Sequence, residues 1–146
     1  MRLEVLDKTL QTTHIWLDEL GLRLNVDKHA AWHALGTILR TLRDRLPLGL
    51  AAHLGAQLPI LVRGIYYDQW QPSEQPKKWR TKEEFLAAAS ADFRGIENVD
   101  PAKAATAVFE VLNHFVDPGQ IRNVREALPL EIRVLWPDKN EPLPHP

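Results

Sequence analysis

Two stretches decide the reading of this chain: "GAQLPILVRGIYY" at residues 55–67 and "REALPLEIRVLWP" at residues 125–137. Leu58-Pro59 stands where Leu128-Pro129 stands. Val62-Arg63 matches Ile132-Arg133, Ile65 matches Leu135, and Tyr66 matches Trp136. The helices upstream match as well, with Asp27, Ala34, Ile38, Leu39 and Leu42 against Asp100, Ala107, Val111, Leu112 and Phe115. Asp27 lies 32 residues before Pro59, and Asp100 lies 29 before Pro129. A length difference that small fits in a turn, where it is cheapest. The pattern predicts an all-α fold: a six-helix bundle made of two tandem three-helix repeats. The expected bounds are a single helical domain at 1–137, with half-repeats at 1–70 and 81–137, a linker at 71–80 and a disordered tail at 138–146.

Working outward, Leu3, Leu6, Leu10, Thr13, Leu17 and Leu20 form one stripe of a first helix, with Gly21 as its stop signal. Ile15 lies nearly opposite that stripe and Trp16 to one side. A helix apolar on two sides needs two neighbours, so Ile15 and Trp16 are candidates for a second contact surface and a possible homodimer.

Asp27 reads as the cap of a second helix. Ala31, Leu35, Ile38, Leu42 and Leu46 form its inner face, and His29, His33, Arg40 and Asp44 its outer face. The third segment carries Leu50, Leu54, Leu58, Leu61, Val62 and Ile65. Proline disfavours helix at the residue before it, so a kink at Pro59 or a second short helix from Pro59 is expected. "QPSEQPKKWR" (71–80) reads as an exposed linker. Thr81 and Glu84 form a capping box. "DPAK" and "DPGQ" repeat an Asp cap followed by Pro at the first helical position.

The chain has 146 residues, a net charge of −1, 45% hydrophobic residues and no cysteine. That excludes disulfides, zinc–thiolate sites and a cysteine nucleophile, and it argues against nucleic acid as the main partner. Glu4, Asp7 and Lys8 interrupt any signal-peptide core, and no stretch is apolar for the length of a membrane helix. A cytoplasmic protein without a membrane partner is expected.

"TTHIWLDEL", "AWHALGTILRTLRDRLP", "AAHLGAQLPILVRGIYYDQW", "EEFL" and "ALPLEIRVLWP", in this order, resemble the bacterial family known as domain of unknown function 2267. The resemblance covers nearly the whole chain apart from the tail. It implies a small, soluble, all-helical bacterial protein of two similar halves, and it transfers no catalytic residue.

His29 and His33, four apart on a helix, can face one ion. A third ligand would have to come from His14, Asp18 or His53, and solvated histidines are the preferred reading. "PKKWRTK" interleaves Lys77, Lys78, Arg80 and Lys82 with Trp79, as single-stranded nucleic acid binders do, but Glu83 and Glu84 follow and a solvated linker is preferred. Ser73 and Ser90, the only serines, lack a nucleophile elbow. No phosphate-binding or dinucleotide glycine loop is present. No cofactor is expected. The leading expectation is a non-enzymatic interaction or self-associating module. The alternative is a small-ligand or metal binder using the His29/His33 face or a groove at Tyr66, Tyr67 and Trp70.

Overall fold

The computed structural model of the chain describes residues 3–93 and 99–138. Among them are eight α-helices and no strand: α1 (Glu4–Leu24), α2 (Lys28–Arg45), α3 (Leu48–Ala56), α4 (Ile60–Tyr67), α5 (Lys82–Asp92), α6 (Pro101–Phe115), α7 (Pro118–Ala127) and α8 (Leu130–Arg133). The fold is all-α. The expected six helices become eight, because each Leu-Pro step ends one helix and starts another. Proline has no amide hydrogen and its ring holds the preceding residue in extended backbone. Pro59 (φ −57°, ψ 153°) and Pro129 (φ −56°, ψ 150°) then cap α4 and α8 in the same conformation.

One arginine spans each break. Arg63 donates from Nη2 to the carbonyls of Ala56 at 3.1 Å and Leu58 at 2.9 Å. Arg133 donates from Nη2 to those of Glu126 at 3.2 Å and Leu128 at 3.0 Å. The last carbonyls of a helix lack intrahelical partners, and here a guanidinium from the next helix supplies them.

The starts follow the capping residues. Asp27 accepts from the Ala30 amide at 2.9 Å, Asp100 from Lys103 at 3.1 Å and Asp117 from Gln120 at 3.1 Å. Thr81 and Glu84 form the reciprocal capping box. The first helix stops later than expected. It runs past Gly21 to Leu24, and Asn25 takes the left-handed turn at φ 55°, a conformation asparagine tolerates. Gly21 has another role: a Cβ there would stand 2.9 Å from the Val26 carbonyl oxygen, inside contact distance of the cap.

α2 and α6 are the central pair. α1 packs on α2 and α6, and α5 on α2 and α6; α3 meets α7; α1 also touches α4 and α5 touches α8. Leu35, Ile38, Leu39, Leu42, Val108, Phe109, Val111 and Leu112 are buried at the centre. The closing aromatic of each Pro-started segment goes inward. Tyr66 is buried with its hydroxyl donating to the Ala51 carbonyl at 2.6 Å. Trp136 is buried, stacked on Phe109 at 4.2 Å, and its Nε1 donates to Asn113 Oδ1 at 2.7 Å.

The 71–80 segment is exposed along one side only. Its composition is that of a linker, yet it is strapped to the end of α2. The Lys77 amide donates to the Asp44 carbonyl at 2.7 Å. The Gln75 side-chain amide donates to the carbonyls of Arg43 and Leu46. The Arg45 Nε donates to the Trp79 carbonyl at 2.6 Å. Trp79, expected in solvent, is half-buried with its ring edge toward Phe85. The turn expected at "GIENV" lies, except for Val99, outside the described residues, as does the expected tail beyond Asp138.

Leu39→Ala and Leu112→Ala each remove a fully buried leucine from the central pair. Each substitution is expected to destabilise the protein by about 2–5 kcal/mol. A urea titration followed by far-ultraviolet circular dichroism checks this, and an unchanged midpoint would contradict the packing.

Candidate docking surface

The first turns of α1 are where apolar side chains and neighbours part company. Leu3, Leu6, Leu10, Thr13, Leu17 and Leu20 alternate spacings of three and four, the a and d positions of a heptad. Thr13, Leu17 and Leu20 are buried, but Leu3, Leu6 and Leu10 are about half exposed, at 54%, 56% and 52%. The stripe therefore meets the chain's own core fully only from Thr13 onward. The reason lies in α6. Trp16 stacks on Phe115 at 5.0 Å, and Phe115 is the last residue of α6. Glu19 and Arg23, further along α1, pair with His114 and Glu110, further back along α6. The two helices are therefore antiparallel, and α1 residues before Trp16 extend past the end of α6. All residues from Leu3 to Lys8 are exposed.

Trp16 is also corrected. It is 3% exposed and belongs to the core, so it offers no outer surface. Ile15 is about half exposed on the other side of the helix. With its neighbour buried, it is a single exposed isoleucine, which is ordinary.

The aromatic segment is packed rather than open. Tyr66 is inaccessible. Tyr67 donates to the Ala52 carbonyl at 3.3 Å and lies over Gly55, where a Cβ would collide with its ring. Trp70 stacks obliquely on Tyr67 at 5.2 Å and donates from Nε1 to Gln75 Oε1 at 3.1 Å. These residues tie α4 to α3 and to the strap. Burial, and then the neighbouring Tyr67, push the Tyr66 phenol well above its ordinary range.

Arg43 was not foreseen. It is 3% exposed, and its guanidinium pairs with Asp44 at 2.8 Å while Nη1 donates to the carbonyls of Tyr66 at 2.8 Å and Asp68 at 2.9 Å. It closes the C-terminal end of α4. The available signal was phase: Arg43 follows Leu35 and Leu39 at intervals of four, on the buried side of α2.

A polar depression of about 230 Å³ adjoins it, lined by Arg40, Thr41, Arg43, Gln69, Trp79 and Asp92 among others. It is smaller than ordinary ligand pockets, which run about 300–1,000 Å³. Its charges are internally paired. Asp92 accepts from Arg40 at 2.7 Å and Thr37 at 3.0 Å. Burial works to raise its pKa, but those hydrogen bonds, Arg40 first, outweigh it and leave the carboxyl below the usual range. A wider hollow of about 460 Å³ lies between the end of α1 and α6, crossed by the Arg23–Glu110 pair.

His29 and His33 are exposed, with their rings edge to face at 4.6 Å. His14 instead contacts the Lys28 ammonium at 3.2 Å, and Asp18 pairs with the same lysine at 3.3 Å. No group of three metal-ligating side chains comes together among the described residues.

The family described as "Uncharacterized conserved protein (DUF2267)" matches residues 13–135. The chain belongs to that family. No curated protein matches the chain. The match to the family begins at Thr13, the first buried residue of α1. The exposed leucine stripe precedes it. No helix among the described residues is long and apolar enough to cross a membrane.

Two measurements follow. Tyr66→Phe removes one buried hydrogen bond and is expected to cost about 0.5–1.5 kcal/mol at neutral pH. Because the folded-state pKa is raised, the Tyr66 contribution is intact below the ordinary value of 10.0 and is lost as pH climbs above it. The wild type should therefore lose stability above that pH more steeply than Tyr66→Phe in alkaline denaturation series. Calorimetric titration with zinc is expected to show no submicromolar site; a tight site abolished by His33→Ala would reinstate the metal reading.

Proposed function

We propose that the protein is a non-enzymatic helical interaction module, a tandem duplication of one helical unit, that self-associates through the projecting turns of α1. The observation that carries the reading is the Leu3–Leu6–Leu10 stripe. A helical seam that is buried from Thr13 onward continues outward with the same spacing, and its three leucines there are about half exposed. Exposed contiguous apolar surface of this kind marks interaction sites.

Duplication is supported by the paired devices: two Leu-Pro breaks, two arginine clamps, two inward closing aromatics. It is supported as well by the reciprocal contacts between halves, in which α2 meets α6, α3 meets α7, and α1 on α6 mirrors α5 on α2. Reciprocity of that type belongs to a two-fold relation. Under the proposed repeat, α5 corresponds to α1 from about Thr9 onward, since Asp100 corresponds to Asp27. The first turns of α1 are then an addition to the repeat. The bacterial cytoplasm is the proposed setting, in keeping with the absence of cysteine.

Sedimentation velocity at micromolar concentration tests the reading. The wild type is expected to run as a dimer. Leu6→Glu and Leu10→Glu are expected to run as monomers with unchanged helical circular dichroism. Ile15→Glu, on the opposite side, should remain dimeric. A monomeric wild type would sink the proposal.

A further inference from the structure

We draw no further inference here: the strongest candidate, the cleft between α7 and α8 lined by Leu130, Val134 and Trp136, is an exposed apolar surface, and nothing in the structure shows what covers it.

Discussion

Two prolines impose the constraint on which the rest of the structure depends. Leu58 and Leu128 precede them and are held out of the helical region. Each long apolar run is thereby cut into a helix and a shorter return helix. The cut leaves helical carbonyls without amide donors, which is unfavourable when they are shielded from water. Arg63 and Arg133 restore those hydrogen bonds from the far side of each cut. The return helices can then carry Tyr66 and Trp136 into the core, where both are fully covered. Without the break, the closing aromatics would lie on the extension of α3 and α7, away from the centre.

The helix ends were the most legible part of the chain. Asp27, Thr81 with Glu84, Asp100 and Asp117 each act locally, through a side chain that reaches an amide three residues on. Local chemistry needs no knowledge of neighbours. The arginine pair at 63 and 133 was visible as a recurrence, although its clamping role required the geometry of the break. Gly21 misled as a stop, because its smallness serves the approach of the Val26 carbonyl and the left-handed turn fell to Asn25.

What the sequence did not reveal depends on tertiary neighbours. Periodicity says which face of a helix is apolar, but not which of its turns have something to pack against. Along α1 that boundary is drawn by the end of α6 at Phe115, a residue a hundred positions away. The same contact pulls Trp16 into the core, although it stands at the edge of the leucine stripe. Arg43 shows the opposite failure. The sequence reading assigns the charge to neither face of α2, yet it is in phase with buried leucines and its guanidinium finds Asp44 and two carbonyls. A buried charge is tolerated only with such partners: Asp44 is the next residue of α2, and the two carbonyls belong to Tyr66 of α4 and to Asp68 just after it. The segment with Tyr66, Tyr67 and Trp70, offered as a groove only in the alternative reading, depends on tertiary neighbours too: its hydroxyls and indole nitrogen find partners in α3 and the strap.

The position of the α1 stripe separates folding from association. A dimer whose interface is shared with the core has no stable monomer, and a substitution there unfolds it. Here the side chains before Thr13 contribute little to the core, which begins with Thr13, Trp16 and Leu17. Under the proposed self-association a single heptad seam has two uses along its length. From Thr13 to Leu20 it holds α1 against α2 and α6, and from Leu3 to Leu10, where its leucines are about half exposed, it would meet a second copy. Since the two stretches share one continuous helix of 21 residues, the inner one fixes the direction of the outer one. The first turns of α1 are therefore presented on a rod anchored by the Trp16–Phe115 stack, and in the proposed dimer less ordering entropy would oppose binding than for a free segment. Such an association could be strong with a small contact because its element is already helical and already aimed.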